Sequence, residues 1–292
     1  MYELIQLGDR TYYIDCSTKI GVYKINETDV CFIDSGVDGN AGERALSILD
    51  ERGWSLKMII NTHSHADHTG GNNFLQTKTG CRIYARGADV SIIHDTILNT
   101  SFIYGGYPFQ KLMNRFLYAS PSEALEIQDS VLPDGMETIN LDGHSFSMTG
   151  IRTSDGVCFV ADSVMSVPAL EKYHIPFIYD AKKHLETLSA LETLDADIFV
   201  PSHFAPMKEV KSLAGINRDK VLEVMERVLS ICEKPVGFDE MLGNLFDSYE
   251  LVMDMNQYIL VSSTLRSLLS YLYDMGRVSF GFDSNKLLWE SS

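Results

Sequence analysis

Hydrophobic and polar positions change period several times along the chain. In the first 60 residues, TYYIDCS, IGVYKIN and VCFIDSG are short and rich in β-branched and aromatic side chains. Turn chemistry such as NETD separates them, which predicts strands. ERALSILDERG has helical spacing and stops at Gly53, a residue suited to a helix C-terminus. LKMIINT is nearly all apolar and reads as a buried strand. Residues 89–125 read as mostly helical with a GGYP break, an insertion over or beside a cleft. Strand patterns return in ETINLDG, HSFSMTGIRT and GVCFVAD. HLETLSALETLDA spaces Leu185, Leu188, Leu191 and Leu194 along one amphipathic helix, and DIFVPSH is a further buried strand ending on a histidine. Strands in both halves, punctuated by helices, predict an α/β sandwich with mixed sheets.

The pattern changes after about residue 213. NRDKVLEVMERVLSICE, FDEMLGNLFDSY and NQYILVSSTLRSLLSYLYDMG read as three helices, and VSFGF-DSN-KLLWE as a β-hairpin. The expected organisation is a larger domain over 1–212 followed by a winged-helix-like domain over 213–292. Winged helices often bind nucleic acid, and charge argues against that use here. The tail holds seven Lys or Arg against twelve Asp or Glu, a net of −5, and its would-be recognition helix carries one arginine, Arg266. Packing or dimerisation is the expected role. The whole chain carries −16, which again disfavours a polyanionic partner, because phosphate backbones are bound chiefly by Lys and Arg.

The remaining composition is that of an ordinary soluble globular protein, at 45% hydrophobic and 22% charged residues. No apolar run approaches the ~20 residues needed to cross a bilayer. The N-terminus shows no basic segment followed by an apolar one. Five scattered cysteines without a CxxC suit buried thiols in a reducing cytoplasm better than a disulfide framework.

Chemistry concentrates in residues 61–72, NTHSHADHTGGN. Three of the eight histidines fall here, with an aspartate among them: His63, His65, Asp67 and His68. The stretch follows a strand's C-terminal end, where α/β architectures tend to place ligands. Alternation puts His63 and His65 on one side and turns Asp67 and His68 toward a second site. Crowded imidazoles and a carboxylate are costly to desolvate unless a cation relieves them. Imidazole with carboxylate suits zinc, iron or manganese. Further ligands should come from other strand ends. LDGHS places His144 in a turn, FVADS places Asp162 after an apolar strand, and FVPSH does the same for His203. Each alone would pass as a turn residue, a helix cap or a surface histidine. Together with the loop they make seven candidate ligands. His94, His174 and His184 lack ligand spacing and read as surface or supporting residues.

THSHADH, GHS, ADS and PSH, in this order, resemble the metal motifs of metallo-β-lactamase-fold hydrolases, and FIDSG with Asp34 matches an early strand motif of that superfamily. The resemblance covers roughly residues 8–210. It implies a four-layer αββα sandwich with a dinuclear site at one edge of two facing sheets. His63, His65 and His144 would hold one metal, and Asp67, His68 and His203 the other. Asp162 would bridge them, and Asp34 would order the loop. Zinc is the expected ion, with iron or manganese as alternatives. Two departures stand out. PSHF replaces the PGHG of many members, so Ser202 and Phe204 shape the pocket. Aspartate stands where many true β-lactamases have cysteine, which turns the reading toward relatives of glyoxalase II, lactonases and nucleases. His65 argues against the diiron oxygen-reducing relatives, which carry glutamate in this motif. The tail resembles, at the level of fold, a branch that includes a β-lactamase-like ribonuclease.

The implied reaction uses a metal-bridging hydroxide, held between ions ~3.5–4 Å apart, to cleave a small ester, thioester or lactone. Asp67 is a candidate proton acceptor. Tyr173 is a candidate oxyanion donor, although a packed loop aromatic is the more ordinary reading of such a position. Phe102, Tyr104, Tyr107 and Phe109 of the insertion would form either an apolar wall over a small-molecule substrate or a homodimer face. The alternatives are a ribonuclease or phosphodiesterase using the same metals, and a scaffold with a vestigial site. A basic groove would favour the former and a missing ligand the latter. The chain offers neither.

Overall fold

The computed structural model describes residues 2–292. Seven strands form the first sheet in sequence order: β1 (Glu3–Gln6), β2 (Thr11–Asp15), β3 (Ile20–Lys24), β4 (Asp29–Ile33), β5 (Ser55–Ile60), β6 (Arg82–Ala85) and β7 (Ala124–Glu126). β1 to β4 pair antiparallel through tight turns, and β4 to β7 pair parallel through helical crossovers. The second sheet holds β8 (Met136–Asn140), β9 (Thr149–Thr153), β10 (Val157–Ala161) and β11 (Ile198–Pro201), with only β10–β11 parallel. The sequence pattern did not mark β1, β6 or β7. All three have four residues or fewer, too few for a period to register.

Three apolar layers account for the sandwich. Along β4, Cys31 and Ile33 face the second sheet, while Val30 and Phe32 face outward; along β10, Val157 and Phe159 face the first sheet, while Cys158 and Val160 face outward. Both faces of these strands are buried, so they read as unbroken apolar runs rather than alternating ones. The outer face of the first sheet is covered by α1 (Gly39–Arg52), by α3 (Asn72–Thr79), which follows the single-turn α2 (Ala66–Thr69), and by α4 (Ala88–His94). Gly53 closes α1 in the left-handed conformation.

The insertion is less helical than its sequence suggests. α5 (Ile97–Tyr104) ends at Gly105, and irregular chain with one short turn follows before β7. α6 (Val167–Tyr173) and α7 (Ala181–Leu191) lie between β10 and β11. Leu188 and Leu191 are buried, Leu185 is partly so, and Leu194 lies past the helix end.

α8 (Lys211–Ile231) packs on α7 and starts two residues before position 213. After it come β12 (Val236–Gly237), α9 (Phe238–Asp247), α10 (Met255–Asp274), β13 (Val278–Asp283) and β14 (Lys286–Ser291), with the strands ordered β12-β14-β13. Ser284 and Asn285 both have positive φ, the geometry of a two-residue hairpin turn. The tail shares one apolar core with the outer face of the second sheet: Val228, Leu245, Leu265 and Leu269 join Cys158, Val160 and Leu188. Among the described residues, no helix is long and apolar enough to cross a membrane.

Candidate metal centre

The seven candidate ligands meet at one edge of the two sheets. His63, His65, Asp67 and His68 come from the loop and short helix after β5, His144 from the β8–β9 turn, Asp162 from the residue after β10, and His203 from beyond β11. Their ligand atoms form overlapping groups: His63, His65 and His144; His63, His68 and Asp162; and Asp67, His68 and His203.

Local backbone explains the aim. Gly70 and Gly71 let the ligand loop lie against the chain after β4. A Cβ at Gly70 would stand 2.3 Å from the Val37 carbonyl, and one at Gly71 2.3 Å from the Ser35 oxygen. Asp34 and Ala161 hold positive φ of 62° and 50°. Such conformations cost about 1–3 kcal/mol each and persist where the surroundings enforce them. Asp34 accepts from the Thr62 amide at 2.8 Å and the Thr62 hydroxyl at 2.7 Å, and it faces His68 Nδ1 at 2.8 Å. Ala161 turns Asp162 out of β10 toward the histidines.

Outer partners fix which ring nitrogen is free. His68 Nδ1 donates to Asp34, His203 Nδ1 to the Ser17 carbonyl at 3.2 Å, and His144 Nδ1 to the Phe177 carbonyl at 3.2 Å. The Thr62 hydroxyl, already donating to Asp34, accepts from His63 Nδ1 at 3.1 Å. With those protons outward, the Nε2 lone pairs of all four rings point inward. His65 Nδ1 lies 3.0 Å from both His63 Nε2 and His144 Nε2. One proton cannot satisfy three converging lone pairs. Asp162 Oδ2 lies 3.0 Å from His203 Nε2, 3.4 Å from His68 Nε2 and 3.7 Å from His144 Nε2, between the two groups. Asp67 Oδ2 lies 3.5 Å from His203 Nε2 and 3.6 Å from His68 Nε2, and accepts from the Thr18 hydroxyl at 3.1 Å. Ligands around a tetrahedral zinc stand ~3.3–3.6 Å apart, so these spacings fit shared ions. His68 Nε2 and Asp162 Oδ1 are buried with no hydrogen-bond partner, as open coordination positions would be. The residues fit divalent metal.

Electrostatics separate the two halves. Burial, then neighbouring imidazoles, holds His63 and His144 well below the ordinary imidazole value, and His65 falls to about 4, also chiefly through burial. Burial pulls His68 down as well, but Asp162, Asp67 and Asp34 outweigh it and raise it. Asp162 drives His203 up to about 9. The carboxylates thus favour positive charge at His68 and His203, as a bound cation would supply.

Two cavities flank Phe177 and share His144 and Asp162. The larger, 420 Å³, is lined by Val164, Met165, Ala169, Pro176 and Phe204, with Tyr173 and His184. The smaller, 310 Å³, takes Asn99, Ile103, Phe116 and Leu117 from the insertion and Asn256 and Leu260 from α10. The expected aromatic wall is corrected here. Phe102, Tyr104, Tyr107 and Phe109 line neither cavity and are exposed, Tyr107 at 84%. Helical rotation turns the neighbouring Ile103 inward instead. Tyr173 lines the larger cavity and is itself 44% exposed, its hydroxyl accepting from Lys172 at 3.0 Å. His184 is buried, not a surface residue, because α7 starts against the His144 turn. His174 stacks on Tyr249, and His94 donates to the Ala124 carbonyl.

Two contributors carried no sequence signal. Buried Asp89 accepts from the Ser64 hydroxyl and the Ser147 amide, tying the His63–His65 loop to the His144 turn. Burial pushes its carboxyl up to about 6. Thr264 of α10 accepts from the Ile178 amide at 3.0 Å and donates to the Pro176 carbonyl at 3.1 Å, bracketing Phe177, whose carbonyl holds His144. A lone acid or threonine at helical spacing announces neither role.

Comparison with known proteins agrees with the geometry. The metallo-beta-lactamase superfamily model matches residues 15–203. A hydroxyacylglutathione hydrolase from Rhodospirillum rubrum is 34% identical over 89 residues, 30% of each chain. One from Thiobacillus denitrificans is 51% identical over 37 residues, 13% of this chain and 14% of its own. The chain thus spans less than a third of these curated relatives. Two solved structures share the fold over nearly the full length. A beta-lactamase domain protein from Burkholderia ambifaria has a TM-score of 0.74 at 18% identity, covering 99% of this chain and 94% of its own. A metallo-beta-lactamase family protein from Thermus thermophilus has 0.71 at 17%, covering 100% and 98%. With the family model covering β3 to β11 and every candidate ligand, the chain belongs to the metallo-beta-lactamase superfamily.

Proposed function

We propose that this chain is a dinuclear-metal-dependent hydrolase of a small ester, thioester or lactone. The observation that carries the reading is the convergence of three nitrogen lone pairs, from His63, His65 and His144, that one proton cannot satisfy, beside buried carboxylates shared with His68 and His203. His63, His65 and His144 would hold one ion, Asp67, His68 and His203 the other, and Asp162 would bridge. Two bound divalent ions, most simply zinc, would acidify water and polarise the scissile carbonyl.

The protein's own groups supply the rest. Asp67 also walls the smaller cavity, so its carboxylate can take a proton from water there. Tyr173 faces the larger cavity and can donate to a developing oxyanion. Phe177 separates two arms of substrate around the reacting carbon. The superfamily membership and the short stretches shared with hydroxyacylglutathione hydrolases support carbonyl chemistry.

The tail over 213–292, with its helix-strand-helix-helix-hairpin order, reads as a winged-helix-like unit that packs on the catalytic 1–212 and lends α10 to the smaller cavity. Arg266 lies over the Phe238 ring at 4.1 Å and donates to the Ser262 carbonyl, so it is engaged internally. That favours a small-molecule substrate over RNA.

The test is turnover by zinc- or manganese-loaded protein on a glutathione thioester, an acyl-homoserine lactone, an aryl ester and single-stranded RNA, each with and without chelator. Chelator-sensitive carbonyl cleavage is expected. Chelator-sensitive cleavage of RNA alone would overturn the substrate class.

A further inference from the structure

We infer that the preferred substrate is uncharged away from its scissile bond, with an apolar acyl arm in the larger cavity and an amide-bearing arm in the smaller. This rests on the hydrolase reading and narrows it.

Neither cavity is lined by a lysine or arginine. The cations adjacent in sequence are turned to aromatic rings at the surface. Arg115 lies over Phe116 and Lys172 over Tyr173, both exposed. A carboxylate or phosphate entering either arm would lose its water and meet no lysine or arginine in the lining, because Lys172 and Arg115 stay exposed, held on the cavity-lining rings of Tyr173 and Phe116. The chain's net charge of −16 adds a repulsive field for anionic ligands.

The larger arm is apolar in effect as well as in composition. Its polar lining is mostly spent within the protein. Asn217 binds the Met165 backbone in both directions and the Leu213 carbonyl, Ser163 donates to the Val160 carbonyl, and Ser166 caps α6. What remains facing the space is mainly Val164, Met165, Ala169, Pro176 and Phe204, with two neutral polar side chains, Tyr173 and buried His184, whose Nδ1 has no partner. The smaller arm differs. Asn99 is nine-tenths buried, and neither its amide nor that of Asn256 makes a hydrogen bond among the described residues. Two uncommitted neutral amides beside Ile103, Leu117 and Leu260 match an amide or hydroxyl group, not a charge.

The test uses the full zinc-loaded chain. Octanoyl thioesters of N-acetylcysteamine, which is uncharged and carries an amide, and of glutathione are compared. Acetyl and carboxylate-ended suberoyl versions of the first are run beside them. The octanoyl N-acetylcysteamine thioester should exceed each of the others in kcat/KM by at least about tenfold. Met165→Lys, or Ala169→Lys should the first not fold, should shrink the penalty on the suberoyl thioester by about the same factor. Calorimetry with the non-hydrolysable octyl thioethers of the two thiols gives a second readout. Turnover with the glutathione or suberoyl compound equal or better overturns the inference and leaves the hydrolase reading intact. No turnover at all, with the uncharged thioether still binding more tightly, overturns the hydrolase reading and leaves the pocket assignment. No turnover together with no binding preference overturns both.

Discussion

The metal rim and the cavity walls sit within one site, yet they are built on different principles. The rim consists of side chains at strand ends, each held by a partner close by. Asp34 and Thr62 grip His63 and His68 from adjacent strands, and Ser17 holds His203. The walls of the smaller cavity consist of an insertion and α10, 130 or more residues apart in the chain and joined by apolar packing of Ile103, Leu112 and Leu117 on Ile259. In the proposed hydrolase the rim would fix the chemistry, and the walls would choose what reaches it. The two meet at Phe177, whose carbonyl belongs to the rim and whose ring belongs to the walls.

The largest expected break is at the rim. Asp67→Asn should lower kcat by ~10²–10⁴ if Asp67 carries the proton, with metal still present by elemental analysis. Unchanged turnover would remove that role. Asp34→Asn should lower metal affinity or activity by ~10–100-fold, because it disturbs the proton on His68 Nδ1 without touching a ligand. A competition titration with a chromogenic chelator measures this.

The walls should break differently. Leu265 is fully buried where α10 meets the rest of the core, and Leu265→Ala should cost about 2–5 kcal/mol in denaturant unfolding. The folded fraction should keep its metal. Thr264→Val leaves the Ile178 amide without its acceptor, at about 1–3 kcal/mol. Its signature should be a changed KM, since Phe177 lines both cavities. An unaltered KM would detach α10 from substrate binding.

The smallest effect concerns pH. In the ion-free protein His63, His65 and His144 have lowered values, so their contribution is complete above the ordinary 6.5 and lost as pH falls. His203, raised to about 9, contributes fully below 6.5 and loses that contribution as pH rises through 9. The Tm of ion-free protein should therefore peak near 6.5. Bound metal should abolish the alkaline limb, because it replaces the proton on His203. A Tm that is flat across this range would contradict the assigned protonation.

Much of the rim is legible in the amino-acid sequence. HSHADH, GHS, ADS and PSH name all seven converging side chains, and the apolar runs name the strands that carry them. The legibility has a cause: a strand end fixes where a side chain emerges, and ligand chemistry restricts the residue to His or Asp. The short strands β1, β6 and β7 escaped because so few residues set no period. The walls escaped for another reason. Phe102 and Ile103 are both apolar neighbours on α5, and only the packing of α10 decides that Ile103 turns inward while Phe102 stays exposed. Asp89 and Thr264 likewise gain their roles from partners dozens of residues away. Sequence by itself determined the chemistry of the centre, because metal ligation demands particular atoms at particular strand ends. Tertiary structure alone decided the pocket, because apolar packing accepts many residues and settles their facing only when distant segments meet.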